Sequence, residues 1–69
     1  MRKLIPGNLI NEKLKIKRKS ILWLSQRVGC SYRHMRRICN QEIDPLTSLA
    51  IKIASTLGCQ VEEVFFYRD

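Results

Sequence analysis

Apolar residues recur along most of the chain at intervals of three and four, the spacing of one helix face, without the alternation typical of a strand. The first such segment places Ile10 and Leu14 one turn apart. Gly7 and Asn8 stand where they can cap this helix, which is expected to end near Lys19. The whole pattern predicts an all-α fold of five short helices with no strand.

Two serines and a glycine mark the second and third helices. Ser20 is a good N-cap for a helix that turns Leu24 and Val28 inward, and Gly29 follows the last apolar position. Glycine readily adopts the left-handed backbone that ends a helix, and Ser31 can cap another helix two residues later. The sequence therefore predicts a helix, a tight turn and a second helix.

The third helix, at about residues 32–39, has two unlike faces. Met35, Ile38 and Cys39 are spaced as i, i+3 and i+4, so they form one apolar stripe that should face the core. The opposite face carries Arg33, Arg36, Arg37 and Asn40. We expect this second face to be exposed.

The fourth helix can open at Asp44 and Pro45, because a proline at the first helical position removes an N–H that would have no partner anyway. Gly58 should end it, and residues 59–65 supply the fifth helix. The two helices are expected to bury Leu46 or Leu49, then Ile53, Leu57, Val61, Val64 and Phe65. We divide the chain into an N-terminal arm (1–7), a domain (8–66) and a C-terminal tail (67–69).

Length and charge narrow the possible functions. The 69 residues allow one small domain, and a composition that is 45% apolar and 28% charged is typical of a folded one. Residues 1–40 hold 11 Lys and Arg against one Glu, whereas residues 41–69 hold two against five acids. A basic surface of this kind favours a polyanionic partner, and by itself leaves DNA, RNA and anionic lipid open.

Neither a metal site nor a membrane segment is indicated. The three cysteines, at 30, 39 and 59, lack the CxxC spacing of zinc sites, so we expect thiols that pack in the core and no cofactor. The longest apolar run is far shorter than the roughly 20 residues that cross a bilayer, and Pro6 interrupts any signal-peptide core. We expect a cytoplasmic protein.

Residues 23–31, WLSQRVGCS, followed by Met35, Ile38 and Asn40, resemble the helix-turn-helix of the lambda-repressor and Cro-type (XRE-like) DNA-binding family. Residues 44–45, 52–58 and 61–65 are similar to that family's fourth and fifth helices. The likeness covers about residues 8–66. The resemblance is specific because the turn glycine, the capping serine and the inward residues all occur at the spacings of that family.

In this family the third helix lies in the major groove of duplex DNA, and the second helix crosses the phosphate backbone. The resemblance implies that Tyr32, Arg33 and Arg37 read base edges, and each guanidinium can donate two hydrogen bonds to guanine O6 and N7. Phosphate contacts are expected for Lys19, Ser20, His34, Arg36 and Asn40.

Three of these residues have a plainer interpretation. Tyr32 can instead pack beside Gly29, and Asn40 can simply end the third helix, since asparagine is a common C-cap. His34 can be an ordinary exposed helix residue.

The chain departs from the family pattern at three places. Ile21 replaces a glutamine that commonly contacts the backbone, so no phosphate role is assigned to it. Leu14 and Cys39 stand where many members carry an inward Arg and an inward Glu. Because both charged residues are replaced by apolar ones, neither charge is left buried without its partner. Trp23 stands where a polar residue is common, and it can pack within the domain or contact a partner.

The resemblance implies a transcriptional regulator, in particular a repressor, that acts as a homodimer. We expect the dimer contact at Phe65, Phe66 and Tyr67, because a helix cannot turn three successive aromatic residues inward. An enzyme is not expected, since the chain has one His and no paired carboxylates facing a pocket. The alternatives are a protein-binding module on the same fold, such as an antitoxin or antagonist subunit, and an RNA-binding domain.

Overall fold

Five helices form where the three-and-four spacing predicts them. The structure, a computed structural model, describes residues 5–68, with side chains described for residues 7–66. In chain order the elements are β1 (Ile5–Asn8), α1 (Ile10–Lys17), α2 (Ile21–Val28), α3 (Tyr32–Cys39), α4 (Thr47–Thr56), α5 (Val61–Val64) and β2 (Phe65–Arg68).

The caps of α2 and α3 are those that the sequence predicts. The Ser20 hydroxyl oxygen accepts a hydrogen bond from the backbone N–H of Trp23 at 3.0 Å, and that of Ser31 accepts from the N–H of His34 at 3.1 Å. Gly29 has a φ of 81°, in the left-handed region where a side chain would be strained. These contacts define the start of α2, the turn after it and the start of α3.

The core is built from one face of each helix. The fully buried side chains include Ile10, Leu24, Met35, Ile38, Ile53, Leu57 and Val64, all of which the periodicity places inside. Leu14 and Cys39 are also buried. The inner stripe of α3 therefore anchors this helix to the rest of the domain.

The prediction that the chain contains no strand is wrong. β1 and β2 form a two-stranded antiparallel sheet in which Gly7 faces Phe66. Each strand has only four residues, too few for an alternating pattern to be distinct, and β1 contains a proline and a glycine. A Cβ at Gly7 would lie 2.5 Å from the Phe66 ring, so the bare glycine lets the ring lie across it. Residues 5–7 of the predicted arm and 67–68 of the predicted tail thus belong to this sheet.

α4 and α5 differ in their bounds from the predicted helices. α4 begins at Thr47 with Leu46 as its N-cap, so Asp44 and Pro45 precede this helix instead of opening it. Leu46 is 80% exposed and Leu49 is partly buried, which settles the choice between them. α5 is one short turn, because the backbone becomes extended at Phe65 and continues as β2.

Asn8 links the sheet to α3. Its side-chain amide donates a hydrogen bond to the carbonyl oxygen of Ile38 at 2.7 Å, and its Oδ1 accepts from the N–H of Ile10 at 3.2 Å. Both bonds are buried, so they are shielded from water. Leu9 is the N-cap of α1, so the prediction that Gly7 and Asn8 cap this helix is wrong in position. Asn8 accepts from the N–H of Ile10 from one residue further out, and it also holds the C-terminal end of α3 in place.

We expect Asn8→Ala to lower the free energy of unfolding by about 2 kcal/mol, the cost of removing a buried hydrogen-bonding group from its partners. Asn11→Ala is the matched control, because Asn11 is exposed and donates one long bond, 3.4 Å, to the carbonyl of Cys39. Urea denaturation of both variants measures the difference. Equal losses would show that the Asn8 bonds add nothing specific.

Candidate nucleic-acid interface

The outer face of α3 is a basic, exposed surface. Tyr32, Arg33, His34, Arg36 and Arg37 are all exposed, while the residues between them on the inner face are buried. Three guanidinium groups on one two-turn helix repel each other modestly in water and are well placed to meet an anionic surface.

Most of these exposed residues line one open depression on the surface. Its volume is about 340 Å³, and it is lined by Tyr32, Arg33, Arg36, Arg37, Asn40 and Glu42. We call it the basic depression. It brings together the three predicted base readers and two of the predicted phosphate contacts, Arg36 and Asn40.

Glu42 is the member of this group that sequence reasoning missed. The chain turns back after α3, where Gln41 has a φ of 63° and the N–H of Glu42 donates to the carbonyl of Arg37 at 3.0 Å. The Glu42 carboxylate then lies 3.8 Å from Nε of Arg37, with both side chains about half exposed. A pair this exposed is worth at most about 1 kcal/mol, so Arg37 can exchange it for another anion.

If this face binds duplex DNA, Glu42→Gln is expected to raise the affinity about threefold, because it frees Arg37 and removes one negative charge from the basic depression. Glu62→Gln on α5 changes the net charge equally and serves as the control. Fluorescence anisotropy with a labelled duplex at fixed salt compares the two variants. An equal gain from both would assign the effect to net charge alone.

The start of α2 holds two further predicted phosphate contacts. Ser20 and Lys19 are exposed, and the Lys19 ammonium lies over the Trp23 ring, 5.2 Å from its centroid. Arg27 lies over the same ring at 5.8 Å. Trp23 is partly buried against the core, so it packs within the domain, and each cation contact adds about 0.5–1 kcal/mol.

Asn40 and His34 have the structural roles considered for them above, and both remain accessible for a phosphate contact. Asn40 is the C-cap of α3, with its N–H directed to the carbonyl of Arg36, and it also lines the basic depression. His34 is exposed on α3, beside that depression and outside its lining.

A second feature involves the C-terminal strand β2 and the start of α4. Asp44, Pro45, Thr47, Ala50, Val61, Phe65 and Phe66 line a mostly apolar groove of about 250 Å³, which we call the terminal groove. Phe65 is partly buried and Phe66 is 40% exposed. The exposure of an aromatic residue here was predicted from helical geometry, and that reason is wrong because residues 65–67 lie in strand β2. The Tyr67 side chain lies outside the described residues.

Two of the three thiols, those of Cys30 and Cys39, have raised pKa values. Burial, followed by the nearby Cys30, raises the pKa of the Cys39 thiol to about 11, and burial also raises the pKa of Cys30. Both thiols therefore stay protonated at neutral pH, which disfavours nucleophilic attack and metal binding. Among the described residues no three His, Cys, Asp or Glu side chains come together to hold an ion. In the same part of the chain, no helix has the length and apolar character to span a bilayer.

The fold is that of a five-helix helix-turn-helix domain, with capped α2, a glycine turn and capped α3. No family model matches the chain, and no curated protein does. A crystal structure of a Bacteroides fragilis protein, provisionally described as DNA-binding, is similar to it with a TM-score of 0.80. The two share 23% identity over 88% of this chain and 98% of the other, which establishes the common fold.

Proposed function

We propose that this protein is a sequence-specific duplex-DNA-binding transcriptional regulator, acting as a repressor in the cytoplasm. Support comes from α3, whose inner face is fully buried while its outer face exposes three arginines on a helix-turn-helix. A helix of this kind fits the major groove, where base edges are accessible.

Different residues are proposed to contact the base edges and the phosphates. Arg33 and Arg37 lie one turn apart on the outer face and contact guanine edges, with Tyr32 at the first turn of α3. Phosphates are held by Lys19, Ser20, His34, Arg36 and Asn40. All eight side chains are exposed, so a duplex can reach them, and Arg37 has only to leave its exposed ion pair with Glu42.

Selection of bound sequences from random duplex DNA, followed by a salt titration, tests the proposal. We expect one enriched motif, and an affinity whose logarithm falls with log salt by about 0.9 for each phosphate neutralised. Failure to enrich any duplex, or a complex insensitive to salt, would contradict it. A protein-binding module on the same fold would then be the better explanation.

The regulator is further proposed to act as a homodimer that joins through Phe65, Phe66 and Tyr67. One short recognition helix contacts too few base pairs to select a genomic site, and a two-fold dimer places two such helices about 34 Å apart. The exposed Phe66 ring beside the terminal groove supports this surface.

Phe66→Glu is expected to weaken self-association at least about tenfold, because it places a charge in an apolar contact. Analytical ultracentrifugation, alone and with the selected duplex, measures the stoichiometry. Ile16→Glu on α1, where Ile16 is 78% exposed, is the control. A wild-type protein that stays at one copy per duplex site in both conditions would contradict the dimer.

A further inference from the structure

A smaller depression adjoins the basic depression and has a different character. Ser20, Ile21, Leu22 and Tyr32 line a mostly apolar, open hollow of about 250 Å³, which we call the apolar notch. Leu22 is 49% exposed and Tyr32 is 45% exposed, so the walls of the notch are accessible from solvent. The residue roles proposed above leave Ile21 and Leu22 without a function.

Tyr32 is shared by the two depressions. Its side chain lines the basic depression on one side and the apolar notch on the other, so an apolar surface directly borders the arginine cluster. A ligand that covers Arg33 and Arg37 therefore comes into reach of Leu22 as well. Because the neighbouring surface is basic, an apolar group carried on a polyanion is complementary to the notch and its surroundings.

The major groove presents such a group. The edge of a guanine offers the O6 and N7 acceptors, and the edge of a thymine offers a methyl group on C5 in the same groove. Guanidinium groups beside an apolar hollow are complementary to guanine and thymine read by one docked helix. The Ser20 hydroxyl oxygen accepts from the N–H of Trp23, and its O–H can still donate to the phosphate assigned to it above.

We infer that the apolar notch receives the C5-methyl group of a thymine adjacent to the bases read by the arginines. This inference rests on the proposed function and adds a specificity determinant to it. Leu22 and Tyr32 form the walls of the notch, and the partly buried Ile21 forms its floor. Ile21 therefore offers an apolar contact to a base.

The test replaces each thymine of the selected duplex, one at a time, with deoxyuridine, which removes the methyl group and leaves the base pairing intact. We expect one position in each half-site at which deoxyuridine weakens binding about fourfold, the factor that burial of one methyl group supplies. Other thymines should change the affinity by much less.

Leu22→Asn identifies the protein side of the contact. Because Leu22 is half exposed, the substitution should leave the fold intact, as a thermal melt will check. In this variant we expect thymine and deoxyuridine to bind equally at the sensitive position. Leu46→Asn, which changes an 80% exposed leucine outside the notch, should retain the fourfold difference.

The outcomes separate this inference from the proposed function. A selected duplex that binds well but has no deoxyuridine-sensitive thymine, or whose sensitivity persists in Leu22→Asn, overturns the notch assignment alone. Failure to select any duplex overturns both. Loss of the methyl effect in Leu22→Asn and its persistence in Leu46→Asn support the assignment.

Discussion

Replacing Met35 by aspartate is expected to unfold the domain at room temperature. Met35 has no exposed surface and lies in the middle of the inner stripe of α3, so an ionised carboxylate there would lose its water without gaining a partner. Burial of such a charge costs several kcal/mol, and a domain of this size has only about 3–10 kcal/mol of stability in total.

Two control variants separate burial from charge. Met35→Leu keeps the apolar volume and should cost less than about 1.5 kcal/mol. His34→Asp adds the same charge at the neighbouring exposed position and should remain folded. Circular dichroism during thermal denaturation reports all three. A Met35→Asp protein that melts within a few degrees of wild type would mean that α3 turns the other face inward, and the arginine face would lose its structural basis.

Arg33→Ala or Arg37→Ala should each abolish the preference for one base pair, at a cost of about 1–3 kcal/mol on the selected duplex. The loss on random duplex should be much smaller, because only phosphate contacts remain there. Arg36→Ala, assigned to phosphate, is the matched control and should weaken selected and random duplexes alike. Competition binding with point-substituted duplexes measures these ratios.

The ion pair between Arg37 and Glu42 allows a second test of the role of Arg37, in which Arg37→Ala is combined with Glu42→Gln. Since Arg37 must leave Glu42 to reach a base, the loss caused by Arg37→Ala should be larger in a Glu42→Gln background than in the wild type. Equal losses on selected and random DNA for both reader arginines would reject their assignment to base edges. The other residues of the basic depression would then be the next candidates.

The sequence by itself determined the elements that depend on near neighbours. Ser20 and Ser31 cap helices through bonds to N–H groups three residues away, and Gly29 ends α2 through its own backbone freedom. The two faces of α3 follow from the helical repeat within eight residues. These signals are local, so the helix-turn-helix and its exposed arginines could be predicted from the chain alone.

The tertiary structure decided what depends on residues far apart. β1 pairs with β2 across almost the whole chain, and Asn8 bonds to a carbonyl 30 positions away. Neither leaves a periodic signal, because each four-residue strand is stabilised by its partner more than by its own pattern. The pairing of Arg37 with Glu42 and the joining of Leu22 to Tyr32 in one notch likewise arise from how the backbone turns between elements. Such contacts exist only once the chain has folded, because folding brings together side chains that no local spacing relates.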